Sequence, residues 1–228
     1  MQKLLWTISF VVIAVPFSPA QQTVFNVPSA DVLAKGKFYG ELDVTYQNSS
    51  GGATFTPRAV VGVGHRLEAG INLNGFGLPG QQSFTPTPTV KWEIYDGQHN
   101  GWSWLVGDDL YVPAQNQTYN VGNYFWTELA HAWKSGTRAT FGAFQITPNV
   151  VAVKQKAGGQ FAIEQRIDSR VTFAIDWFTG DSSIGYLTPG VIIKVTRQLT
   201  LYATYQLGNH RLTEGNHQFL FELGWNFN

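Results

Sequence analysis

Phe219–Asn228 reads FLFELGWNFN: Phe219, Phe221, Leu223, Trp225 and Phe227 take every second position, and Glu222 stands on the opposite parity. A two-residue period assigns a β-strand with one apolar face. Chain ends fray unless they are tied down, so this strand predicts a C-terminus built into a sheet.

Moving back along the chain, the same period recurs. LTLYATYQL sets Leu201, Ala203, Tyr205 and Leu207 on one face; GVIIKVT sets Val191, Ile193 and Val195 against Lys194. RVTFAIDWF places Val171, Phe173, Ile175 and Trp177 against Asp176, and QFAIEQRI places Phe161 and Ile163 against Glu164 and Arg166. TVKWEIY gives Val90, Trp92 and Ile94 against Lys91, Glu93 and Tyr95. LEAGINLNG gives Leu67, Ala69, Ile71 and Leu73 against Glu68, Asn72 and Asn74. FTPRAVVGVG puts Ala59, Val61 and Val63 opposite Arg58, and KFYGELDVTY puts Phe38, Leu42, Val44 and Tyr46 opposite Glu41 and Asp43.

The charges of these segments, Glu41, Asp43, Arg58, Glu68, Lys91, Glu93, Glu164, Arg166, Asp176, Lys194 and Glu222, all share the parity opposite the apolar face. Alternation does not say which face is inside; composition does. Charged residues make up 13% of the chain and aromatics 14%, too little charge to coat a water-exposed surface. The apolar face is therefore predicted to meet lipid, and the charged face to line a lumen. After residue 20 there is no run of roughly 18 apolar residues, as a spanning helix needs. A closed β-barrel is the remaining way across a bilayer, because lipid tolerates no unpaired strand edge.

Three middle segments between Trp102 and Phe144, WSWLVGDDLYV, NYFWTELAHAW and TRATFGAF, read as strands of uncertain parity. Asp108 and Asp109 cannot both point inward without a bulge, and Glu128 and Arg138 have no fixed face. With these three the count is twelve, an even number as in single-chain bacterial barrels. Short links such as KSG at Ser135 and RQ at Arg197 alternate with long ones such as FGLPGQQSFTPTP, the layout of periplasmic turns and extracellular loops. Pro57, Pro79, Pro86, Pro88, Pro113, Pro148 and Pro189 are expected in the long loops or at adjoining strand ends. Phe38, Trp102, Trp133 and Trp225 are expected in an aromatic girdle on the short-turn side, and Tyr46, Tyr111 and Trp177 in one on the other side.

The N-terminus, MQKLLWTISFVVIAVPFSPA, has one cation, an apolar run from Leu4 to Phe17 and small residues at Ser18 and Ala20: a signal peptide over residues 1–20. Residues 21–36 then form a short segment expected to lie in the periplasm, with Ser29 capping one helical turn over Asp31 to Lys35. A small stopper folded back into the lumen is the alternative. Residues 37–228 form the barrel.

These residues resemble the bacterial outer-membrane β-barrel proteins, the small porin-like ones in particular. Glu222, Gly224 and Phe227 match the polar, glycine and hydrophobic positions of that family's C-terminal assembly signal, although the chain ends at Asn228 rather than on an aromatic. The resemblance implies outer-membrane lipid and the barrel-assembly machinery as partners and a passive channel for small solutes as the role.

Seven acids and four bases on the inward parity predict a mildly acidic lumen that favours cations if open. If the opposite charges pair across it, the lumen is closed instead, since twelve strands fall between filled and wide barrels. The absence of cysteine removes thiol chemistry, and the five histidines show no metal-ligand spacing. No catalytic, cofactor or metal site is expected, and no basic excess points to nucleic acid. A lipid or peptide hydrolase would have to start from the Asp108 and Asp109 pair with His210; the other alternative is a non-conducting structural or adhesive barrel using its long loops.

Overall fold

The computed structural model describes residues 21–48, 51–77, 84–97, 99–114, 121–147, 155–210 and 217–227. Residues 1–20, where the signal peptide is expected, Asn228 and parts of the long loops, Pro79 and Pro148 included, lie outside the described residues.

Thirteen strands follow in order: β1 (Phe38–Gln47), β2 (Gly52–Gly64), β3 (Leu67–Asn74), β4 (Phe76–Gly77), β5 (Thr85–Gly97), β6 (Trp102–Tyr111), β7 (Gly122–Ala132), β8 (Thr137–Ile146), β9 (Ala157–Arg166), β10 (Val171–Phe178), β11 (Tyr186–Lys194), β12 (Leu199–Gly208) and β13 (Gln218–Phe227). β3 and the two-residue β4, separated by Gly75 at φ 95°, both pair with β2 and make one stave, so the sheet has twelve. All pairings are antiparallel, and β13 returns to β1 from Phe38↔Phe227 to Gln47↔Gln218. That closure leaves no strand edge, as a bilayer requires. The described residues contain no helix.

Residues of the apolar parity stand on the outside: Phe173, Ile163, Phe221, Leu223 and Trp225 are all exposed on the protein itself, where lipid tails would cover them. At the short-turn end the rings of Trp102, His131 and Trp133 meet edge to face, with centroids 4.6 and 4.3 Å apart, in the girdle position.

The β2–β3 turn places His65 and Arg66 at φ 54° and 62°. Both are in the left-handed region that tight hairpins need and that asparagine and glycine tolerate best. His65→Asn should stabilise the barrel by about 0.5–1 kcal/mol, read as a shift in the urea midpoint of the lipid-embedded protein.

Five expectations are corrected. Pro57 lies inside β2, Pro86 and Pro88 inside β5, and Pro189 inside β11, because these strands run further than the alternation alone indicates. The missing N–H of Pro189 coincides with a gap in the β11–β12 ladder, between Leu187↔Leu207 and Gly190↔Thr204. A bulge between Glu93 and Tyr95 turns Tyr95 outward beside Ile94, reversing its expected face. Tyr111 faces inward and packs against the lumenal apolar cluster, so it is not part of the outer girdle. Ser29 caps no helical turn; its Oγ accepts the Asp31 N–H and donates to the Gln21 carbonyl.

The fifth correction is the largest. Residues 21–36 are not outside the barrel. They run up into the lumen, with Val24, Phe25, Val27 and Ser29 completely buried. The alternative expectation, a stopper, describes their position.

Candidate functional site: the lumen and its N-terminal strap

The strap enters at the short-turn end, where Gly36 N–H donates to Gly62 O (2.8 Å) and Gly62 N–H to Lys37 O (3.0 Å). Gly62 is required by this close approach: a Cβ there would lie 2.1 Å from Ala34 O and 2.5 Å from Leu33 O. Gly62→Val should therefore push the strap off β2 while leaving the exposed barrel wall intact, read as faster proteolytic cutting of residues 21–36 in a barrel that stays heat-modifiable.

Deeper in the lumen, buried charges hold the strap's backbone and one acid. The Leu33 N–H donates to Glu68 Oε2 (2.8 Å). Lys91 pairs with Glu68 (2.8 Å) and also donates to the carbonyls of Asp31 (2.6 Å) and Ser29 (3.3 Å). Arg138 bridges the strap to the wall, reaching Asp31 Oδ1 and Oδ2 at 2.8 and 3.1 Å and Glu164 Oε1 at 2.8 Å. A guanidinium suits this, since its planar fork serves two carboxylates at once.

At its inner end the strap folds into a tight hairpin: Val24 N–H donates to Val27 O (2.7 Å) and Ser29 N–H to Gln22 O (3.0 Å). Three consecutive N–H groups at the tip, those of Phe25, Asn26 and Val27, converge on Asp176 Oδ2 at 3.0, 2.6 and 2.9 Å. Successive amides curled in this way form a nest for an anion, here supplied by the wall. The Asn26 amide adds contacts to Thr188 Oγ1 (2.8 Å) and from Gln206 Nε2 (2.7 Å). Val24, Phe25 and Val27 pack on an inward apolar patch that includes Leu105, Trp126, Phe144, Ile146 and Phe178.

The inward-parity charges thus divide by position. Glu68, Lys91, Glu164 and Asp176 meet the strap or the arginine that holds it. Glu41, Asp43, Arg58 and Glu222 gather at the β1–β13 seam, with Arg58 Nη2 2.6 Å from Asp43 and Arg58 Nε 3.7 Å from Glu41. Glu93 and Lys194 are half-buried and Arg166 is exposed, all three towards the short-turn end of their strands.

Sequence alternation missed Asp31, Asp109, Glu128 and Arg138. Glu128 is buried and accepts from Gln160 Nε2 (2.5 Å), and Asp109 lines the lumenal cavity. Asp108 points the other way and is held by Asn123 Nδ2 (3.1 Å). Parity was obscured on β6, β7 and β8 because their inward faces carry Leu105, Trp126, Phe144 and Ile146, which seat the strap's tip. The pairing of Arg138 with Glu164 across β8–β9 would have been the usable signal.

Asp109 and His210 are not brought together. His210 is an exposed loop residue whose Nδ1 lies 3.8 Å from Asp181 Oδ1, whereas Asp109 lines the lumen.

On the long-loop side of the strap a cavity of about 270 Å³ remains, polar on one side and bounded by Trp126, Ile146 and Phe178 on the other. Its wall includes Thr45, Thr56, Asn72, Asn74, Gln206 and Gln218, and the strap contributes Gln22 and Asn26. Amides and hydroxyls of this kind present donors and acceptors together.

No family model matches the chain, and no curated protein matches it. Solved structures do. The KdgM porin aligns at TM-score 0.58 with 10% identity, over 83% of this chain and 98% of that one. The NanC porin gives TM-score 0.58 and 11% identity over 83% of this chain and 99% of that one. The outer membrane protein Omp33 of Acinetobacter baumannii gives 0.53 and 6%, over 85% and 99%. The likeness is one of fold: a closed antiparallel barrel of the small outer-membrane porin type.

Proposed function

We propose that this protein is a narrow outer-membrane channel for small polar solutes whose conductance is restricted by its own N-terminal strap. The observation that carries the reading is the way the strap is held. Its tip and middle are fixed by Asp176, Lys91, Arg138 and Glu68 through hydrogen bonds and ion pairs, beside the apolar packing of Val24, Phe25 and Val27. Water and solute can compete for such contacts, as they cannot for a purely apolar plug.

The fold likeness to small porins supports the outer membrane as its place and lipid as its surroundings. The final strand, β13, closes the barrel on β1, which fits insertion by the barrel-assembly machinery. The amide-rich and hydroxyl-rich cavity suits hydroxylated or weakly charged solutes. Pairing of Arg58 with Asp43, Lys91 with Glu68 and Arg138 with Glu164 leaves a residual acidic excess in the lumen, so a mild cation preference is expected.

Planar-bilayer recording of the purified protein tests this. Small, discrete, weakly cation-selective current steps are the expected result. A folded, heat-modifiable barrel that stays silent, with the strap in place and after its displacement, would make the structural or adhesive reading the better one.

A further inference from the structure

We propose that the seam cluster of Glu41, Asp43 and Glu222 is a divalent-cation site, with Ca²⁺ as the fitting ion. β1 and β13 close the barrel with Asp43 directly opposite Glu222. One carboxylate oxygen from each of Glu41, Asp43 and Glu222 lies within 4.8 Å of the others, and all three residues are buried. Calcium binds oxygens at about 2.3–2.6 Å, so any two of its ligands stand no more than roughly 5.2 Å apart, and the three oxygens lie inside that limit. The spacing fits.

The partners of these carboxylates point the same way. Glu41 Oε2 accepts from the Tyr39 hydroxyl, and Asp43 Oδ2 is engaged by Arg58 Nη2. Among the described residues, nothing donates a hydrogen bond to Glu41 Oε1, Asp43 Oδ1 or either oxygen of Glu222. Glu222 is the decisive case. It is only 2% exposed, it belongs to the group of facing oxygens, and it has no hydrogen-bond partner among the described residues. Buried carboxylates are otherwise paired or bonded to a metal, because an uncompensated buried charge is strongly unfavourable.

Among the described residues Arg58 is the one cation in the cluster, paired with Asp43 and Glu41, which leaves two negative charges to be neutralised. A hard divalent ion supplies that charge, and an all-oxygen donor set selects Ca²⁺ or Mg²⁺ over softer metals. Calcium is favoured by its tolerance of irregular coordination, since a site built on two adjoining strands with Arg58 beside it offers no regular octahedron of the kind Mg²⁺ demands. Asp43 and Arg58 also line the polar cavity, which gives the ion a path from the long-loop side. Bound there, the ion would tie the last strand to the first.

The test uses protein expressed from the full chain, purified in non-ionic detergent free of lipopolysaccharide and stripped with EDTA. Calcium titration by calorimetry, with Tb³⁺ as a luminescent probe sensitised by nearby Tyr39, should show one saturable site per barrel, reversed by EDTA, and a higher temperature of heat-modifiability. Glu222→Gln should fold and bind Ca²⁺ at least about tenfold more weakly. The inference is overturned if wild type shows no saturable site, or if Glu222→Gln binds as wild type does. It is likewise overturned if ion-free Glu222→Gln matches calcium-treated wild type in stability and neither binds, which would assign the neutralising charge to protons. The wild-type titration decides the matter even where the variant fails to fold, and it reads binding, not current.

Discussion

Deleting Gln21 to Lys35 should raise single-channel conductance several-fold. Those residues fill the lumen from the short-turn end to Asp176, and the wall around them is a complete ring of hydrogen-bonded strands that does not depend on them for closure. Val24, Phe25 and Val27 each lose roughly 1.5–3 kcal/mol of burial when the strap leaves, and Leu105, Trp126, Phe144 and Phe178 become wetted. Some loss of thermal stability is therefore expected alongside the larger current. Recording wild type and deletion in the same bilayer gives the answer, with heat-modifiable mobility confirming that both are folded. Equal conductance in two folded proteins would remove the strap from any role in restricting the pore.

Replacing Asp176 with Ala should free the strap's tip without removing the strap. Three backbone N–H groups and the Asn26 amide converge on this one carboxylate. Hydrogen bonds to a charged group contribute about 1.5–3 kcal/mol each, and the buried donors left behind carry their own desolvation penalty. The sum is comparable with the tip's apolar burial, so the balance between docked and undocked strap should shift strongly towards undocked. The expected record is frequent brief openings towards the conductance of the deletion. Asp176→Asn keeps an acceptor of the same shape and loses the charge, so it should fall between Ala and wild type. Dwell times unchanged in Asp176→Ala would mean that the tip is held by packing alone, through the apolar cluster that Val24, Phe25 and Val27 share with Trp126, Phe144 and Phe178.

Both results bear on why one part of the lumen was legible in advance and another was not. On β1, β9, β10 and β13, polar inward positions alternate with apolar outward ones, and the faces of Glu41, Asp43, Glu164, Asp176 and Glu222 follow from the period alone. On β6, β7 and β8 the alternation fades. That loss is itself a trace of the strap: Leu105, Trp126, Phe144 and Ile146 are inward and apolar because Val24, Phe25 and Val27 lie on the inner face they form. A barrel whose lumen held only water would have no reason to place Trp126 there.

The strap's own sequence, QQTVFNVPSADVLAKG, shows no comparable sign of its place. Its hairpin is short, and its partners are distant in sequence: Asp176 from Asn26, Arg138 from Asp31, Glu68 from Leu33. An isolated reading of residues 21–36 finds a polar, proline-containing segment of the kind that is usually left free at a terminus.

The sequence by itself determined the two-residue period, the lipid-facing surface, the alternation of short and long links, and a last strand that had to be paired. Each is a local property, set by which side of a pleated chain a residue occupies. Only the tertiary structure decided that the N-terminus lies inside, that Arg138 joins it to the wall, and that Glu41, Asp43 and Glu222 converge where the barrel closes. These depend on which strands become neighbours when the sheet curls and on what then fills the space within, and no periodicity along the chain records that.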